Sequence, residues 1–189
     1  MFEHGDCCRL LAIARAALDA RVRRELDPPP QDGGALDEPC GAFVSIHHGH
    51  DLRGCLGRVE ADWPVGRVVA YLGRAVADSD PRFPPVAIAE LPTLTMEISI
   101  LSPERELRSP DEIEIGRHGL IVESGRRRGL LLPQVAAERQ WNVATFLEHT
   151  CLKAGLSSDA WSRGASVFLF EAQVFSDVLL TRHQNAGGV

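Results

Sequence analysis

The order of apolar and polar positions divides the chain into helices and strands before any single residue is considered. From Cys7 to about Leu26, the residues Leu11, Ala14, Leu18 and Val22 recur at spacings of three and four. That period predicts a helix with Arg15, Asp19 and Arg23 turned to water. Pro28-Pro29-Pro30 and Gly33-Gly34 end it in a polar loop, since proline cannot continue a helix. Gly41–His47 and Leu52–Leu56, separated by a Gly49-His50-Asp51 turn signal, predict a hairpin. Pro64–Ala77 predicts a second helix, with Val65, Val69, Leu72 and Val76 on one stripe. The proline-rich run Asp80–Pro85 then excludes helix.

Further along, Thr93–Leu101 alternates, with Leu94, Met96, Ile98 and Ile100 on one face, the pattern of a half-buried strand. Gly119–Glu123 and Gly129–Leu132 predict a second hairpin whose turn holds Arg126, Arg127 and Arg128, and a short helix follows Pro133. Asn142 and Gly155 mark the two ends of a helix over Val143–Ala154, with Val143, Leu147, Cys151 and Ala154 inward. Val167–Phe175 predicts a last strand with Phe168, Phe170, Ala172 and Val174 on its apolar face. Helices and strands that do not strictly alternate imply an α+β fold. No repeat or second linker divides residues 1–189, so one domain is expected, with a loose tail after Thr181 covering 182–189.

Composition narrows the function. With 44% apolar and 24% charged residues in 189, the chain is an ordinary globular one. A net charge of −6 opposes binding to nucleic acid, which relies on Lys and Arg neutralising phosphates. Met1–Cys8 carries Glu3 and Asp6 and lacks a basic start with an apolar run, so no signal peptide is expected, and no stretch is long and apolar enough for a membrane span. Five scattered cysteines, at 7, 8, 40, 55 and 151, suit reduced thiols in the cytoplasm better than a disulfide framework.

Phosphate loops, zinc-protease and hydrolase-elbow motifs and Cys-x-x-Cys pairs are missing from the sequence. The strongest chemical signal is Leu52-Arg53-Gly54-Cys55-Leu56-Gly57, where two glycines bracket a thiol at a strand end. Arginine and exposed backbone N–H groups beside a cysteine favour the thiolate, which is a nucleophile or a metal ligand. A small buried thiol in a bulge is the competing reading. His47, His48 and His50 with Cys40 lack the paired spacing of a zinc site, and adjacent His47 and His48 on a strand point to opposite faces, so no metal or other cofactor is expected. His118 fits a general base, a ligand contact or a plain surface histidine.

Taken together, these motifs resemble the AMMECR-type domain, called protein A of the AmmeMemoRadiSam system in prokaryotes. The resemblance rests on Leu52–Gly57, Asp80-Pro81-Arg82-Phe83-Pro84-Pro85-Val86, Glu114–Val122, Arg128–Gln134, Thr150–Leu156, Asp159-Ala160-Trp161 and Phe170–Phe175, and so covers about Gly41 to Phe175. Leu56 stands where isoleucine is usual in that signature, a volume-conserving exchange.

The resemblance implies an α+β fold, a mostly antiparallel sheet with helices. It also implies two unequal lobes, the larger built from both chain ends, with the signature cysteine near a cleft between them. It implies partners as well, a Memo-like protein and a radical-SAM enzyme. Two functions follow. In the first, the chain is an enzyme or enzyme subunit: Cys55 is the nucleophile, His118 or Asp80 moves the proton, and Arg53, Arg82 and Lys153 hold an anionic substrate with Gly54, Gly57, Glu97 and Gln134 around it. Cys55, Arg53 and His118 are then expected to converge. In the second, the same residues form a non-catalytic binding or adaptor domain for a small molecule or a protein tail.

Overall fold

A computed structural model describes residues 1–29 and 31–177, so the expected loose tail lies outside the described residues. The elements are α1 (His4–Arg23), β1 (Ala42–His48), β2 (Asp51–Arg58), α2 (Val65–Ala75), β3 (Leu94–Leu101), β4 (Arg105–Glu106), β5 (His118–Ser124), β6 (Arg127–Leu131), α3 (Pro133–Glu138), α4 (Val143–Lys153) and β7 (Ser166–Ser176). The described residues form two compact units, one of residues up to 101 with 173–177 and one of residues 102–172. The larger unit therefore takes segments from before and after the smaller one, and β7 contributes to both units.

In the larger unit β1 lies between β2 and β3, all antiparallel. Val44, Ile46, Leu94, Met96, Ile98 and Ile100 face one core with the buried sides of α1 and α2. Leu10, Leu11, Ile13, Ala14, Ala17 and Leu18 are all buried, so α1 has a wider apolar face than a single stripe. For this reason Arg15 and Asp19 do not stand in water as the helical period suggested. Arg15 donates to the Leu94 carbonyl and the Asp177 carboxylate, and Asp19 has a buried carboxylate oxygen. The helices touch closely enough that a Cβ on Gly73 of α2 would lie 2.3 Å from the Ala14 carbonyl oxygen of α1. The two Phe2 backbone groups hydrogen-bond the Gln173 side chain, tying the N-terminus to β7.

In the smaller unit β5 pairs with both β6 and β7, and β4 with β7, again antiparallel. Their apolar side packs on α4 through Leu120, Val122, Leu169, Phe146, Leu147 and Cys151. Asn142 caps α4 by accepting from the Thr145 N–H, and Gly155 follows it at φ +70°, as its sequence foretold. Two expectations change. Only Gly125 and Arg126 form the β5–β6 turn, because Arg127 and Arg128 already pair in β6. In β7 Val167, Leu169 and Phe175 enter the cores and Val174 is exposed, whereas Phe170, on the expected apolar face, is buried as well, so both faces of the strand are covered in part.

Candidate functional site

Cys55 takes its place from strand register. It lies on β2 opposite Ser45 of β1, and Ser45 lies opposite Glu97 of β3, so the three share one row across the sheet. The next row on this face is Gly57, Phe43 and Ser99; in the other direction, past a bulge that leaves Arg53 without a partner on β1, come Leu52, His47 and Thr95. Gly54, Ile46 and Met96 form the intervening row, which points into the core. Cys55, Ser45 and Glu97 are half-buried. His47 shares their face, and its Nε2 is enclosed without a hydrogen-bond partner among the described residues.

β2 is an edge strand, so alternate residues turn their N–H and C=O groups away from the sheet. At Cys55 those groups are met by side chains of the proline-rich loop. The Cys55 N–H donates to Asp80 Oδ2 at 2.9 Å, and Arg82 Nη2 donates to the Cys55 carbonyl at 3.3 Å. Asp80 also accepts from the Arg82 backbone N–H (3.1 Å), from Nε (2.9 Å) and from Nη2 (2.7 Å).

The Asp80 side chain is 3% exposed and that of Arg82 is 56% exposed. The Arg82 hydrogen bonds, followed by the N–H groups of Cys55 and Arg82, hold the Asp80 carboxyl well below the usual carboxylate range, against burial, which acts the other way. Arg82 in turn is held more firmly charged, first by Asp80 and then by Cys55. A carboxylate kept ionised by four donors is a poor proton acceptor near neutrality, so Asp80 serves as a clamp for the loop rather than as a base.

A second network fixes the start of β2. Arg53 donates Nε to Glu90 Oε2 at 2.8 Å, Nη2 to Glu90 Oε1 at 3.1 Å, and Nη2 to the Pro85 carbonyl at 3.3 Å. Glu90 also accepts from the Ala87 N–H at 2.7 Å and lies 3.1 Å from His48 Nε2. Arg53, then the Ala87 N–H, lower its carboxyl to about 2. The fork of Arg53 is thus occupied by an internal carboxylate, and its assignment to an anionic substrate gives way to a positioning role. Glu90 and Ser45 were not found from the sequence. Glu90 lies in a 3₁₀ segment, Ile88–Thr93, that no periodicity marks, and Ser45 is visible only once the register is known.

The remaining expected residues have plain surroundings. Gly57 carries no Cβ because one would lie 2.2 Å from the Phe43 ring opposite it, and Gly54 lies against Val76 and Ile46. Both glycines are accounted for by packing. In the smaller unit His118 is 6% exposed, its Nδ1 accepts from the Glu114 N–H at 3.0 Å and its Nε2 lies 3.9 Å from Glu171 Oε1. It closes the Glu114–His118 turn, with its proton on Nε2. Gln134 is half-buried at the start of α3, and Lys153 is exposed in the last turn of α4. Among the described residues no group of three or more His, Cys, Asp or Glu is arranged to hold a metal ion, and no helix is long and apolar enough to cross a membrane.

An α+β fold with a mostly antiparallel sheet defines the class, and comparison with known proteins identifies the family. The family model AMMECR1 matches residues 11–175. A protein of Methanosarcina acetivorans is 40% identical over 175 residues, covering 87% of this chain and 88% of its own. Protein MK0488 of Methanopyrus kandleri is 41% identical over 189 residues, covering 93% and 89%. The crystal structure of the uncharacterized protein PH0010 from Pyrococcus horikoshii superimposes with a TM-score of 0.80 at 36% identity, covering 88% of this chain and 89% of that one. The chain belongs to the AMMECR1 family.

Proposed function

We propose that the chain is an enzyme or enzyme subunit whose nucleophile is Cys55, with Arg82 stabilising the thiolate and Asp80 holding Arg82 in place. The observation that carries this reading is the grip of one Asp80–Arg82 pair on both backbone groups of Cys55. The half-exposed Arg82 retains N–H groups for an anionic substrate, and Ser45 and Glu97, in the same row as Cys55, supply polar groups at the same surface. Partners in this reading are a Memo-like protein and a radical-SAM enzyme, and the compartment is the cytoplasm.

The test is the alkylation rate of each cysteine at neutral pH, read by peptide mass spectrometry. Cys7 and Cys151 are buried, and burial pushes both thiols up, as it does for Cys40, so they serve as slow internal standards. Cys55 is expected to react fastest, and Arg82→Gln to slow it. The second reading, a non-catalytic binding or adaptor domain, draws on a different observation: the groups that bond Cys55 are an ionised carboxylate and a guanidinium, neither a neutral base. An inert Cys55 decides for that reading.

A further inference from the structure

A cavity of about 390 Å³ lies in the larger unit, where the C-terminal end of α1 meets the segment after α2. Its apolar wall is Val22, Ala77, Pro85 and Val86, and its polar edge is Arg21, Arg24 and Asp78. The volume is within the range of small-molecule sites, and the depression is half open to solvent, with an apolar wall and charged groups at its edge. Asp78 is already engaged, since Arg21 donates Nε to its Oδ2 at 2.8 Å and Nη2 lies 2.7 Å away. Arg24 is different. It has no salt bridge among the described residues, and it occupies a left-handed conformation, φ +60°, at the position just past the helix.

Glycine or asparagine is the usual residue in that conformation, because a Cβ is disfavoured there. Interaction with the helix dipole accounts for a cation at this end of α1, but any of the preceding positions would serve it equally, and Arg21 and Arg23 already do. The uncommitted guanidinium on the cavity edge is left for a ligand.

We propose that this cavity binds a small monoanionic organic acid, its apolar body against Val22, Ala77, Pro85 and Val86 and its carboxylate on Arg24. Among the described residues lining it, Arg24 is the cation without a salt bridge, and this sets the charge. A dianion such as a phosphate monoester would face Asp78 and the last carbonyl groups of α1 with only a single uncommitted arginine to offset them. The site stands independently of the role of Cys55.

The test is chemical-shift perturbation in ¹⁵N spectra of the full chain, with hexanoate and benzoate as probes and hexanamide and benzamide as uncharged counterparts. The acids are expected to shift the amides of Val22, Arg24, Ala77, Asp78 and Val86 and to bind about tenfold more tightly than the amides, the weight of one charge-assisted hydrogen bond. Arg24→Asn keeps a residue that tolerates the left-handed conformation and should erase that preference. Val22→Trp, filling the cavity from a half-buried position, should abolish binding of acids and amides alike. Equal binding of acid and amide, shifts confined to other residues, or a preference that survives Arg24→Asn would overturn the proposal.

Discussion

The backbone N–H of Cys55 donates to the carboxylate of Asp80 at 2.9 Å, so β2 is held by the first residue of the proline-rich loop, 25 positions away. The same carboxylate binds the Arg82 side chain twice, and Arg82 returns to the Cys55 carbonyl. The loop thereby does at this point what a neighbouring strand would do, satisfying the outward groups of an edge strand without leaving it open to another chain.

Asp80→Asn is therefore expected to destabilise the protein. It removes the charge of a buried carboxylate and leaves an amide among donors, while the exposed side of Arg82 rehydrates, which limits the loss to about 2 kcal/mol. Urea unfolding monitored by tryptophan fluorescence should show a lower midpoint with an unchanged slope. A midpoint shift equivalent to less than about 0.5 kcal/mol, the ordinary range of surface substitutions, would mean that the clamp does not hold the fold.

The two networks also predict the acid limb of stability. Glu90 falls from an ordinary value of 4.5 to about 2 in the folded chain, and Asp80 is likewise lowered. A carboxyl whose folded value lies below its unfolded value binds fewer protons in the native state. Its contribution is present above the unfolded value and is lost as pH falls through the folded one. Stability should therefore fall between about pH 5 and pH 2. Glu90→Gln should be less stable than the wild type at neutral pH and show a shallower slope in that window. Parallel slopes for the two proteins would exclude Glu90 as a source.

A glycine opposite an aromatic ring recurs in both units: Gly57 opposite Phe43, and Gly119 opposite Phe170. A Cβ would lie 2.2 Å from a ring atom in each case. Gly57→Ala should cost about 1–3 kcal/mol through overpacking. Because the obstacle is a side chain, Phe43→Ala in the same molecule should relieve part of that loss. A coupling energy above about 0.5 kcal/mol in the double-mutant cycle supports the contact, and additivity removes it.

These relationships show how far the sequence carries and where it stops. Caps, turns and alternation are local, so Asn142, Gly155 and the faces of β3 were legible, and so were the motifs that place Cys55 on a strand next to Gly54 and Gly57. What those glycines are for was not legible, since Phe43 and Val76 reach them only through pairing and packing. Arg53 looked like a substrate cation because nothing in the chain announces Glu90, 37 residues on, as its partner. The single apolar face read for β7 was incomplete: Phe170 of that set is buried, but the cores also take Val167, Leu169 and Phe175 from the other face. Hydrophobicity ranks faces; pairing with β5 and β4 decides which one is covered.

The last prediction sets two glycines against each other. Gly129 of β6 lies under the end of α4, where a Cβ would come within 2.2 Å of the Ala154 nitrogen and 2.5 Å of its Cα. No rotamer change can relieve a clash with backbone, so Gly129→Ala must push α4 off β6 and should lose about 3 kcal/mol or more, with the loss centred on the smaller unit. Gly5 lies in the first turn of α1 with nothing within 4 Å of its would-be Cβ and no positive φ. There alanine only restricts the unfolded chain and favours the helix, so Gly5→Ala should stabilise by about 0.5–1 kcal/mol. Thermal and urea unfolding of the two variants beside the wild type reads both signs in one experiment. Effects of the same sign would show that backbone approach is not what separates the two positions.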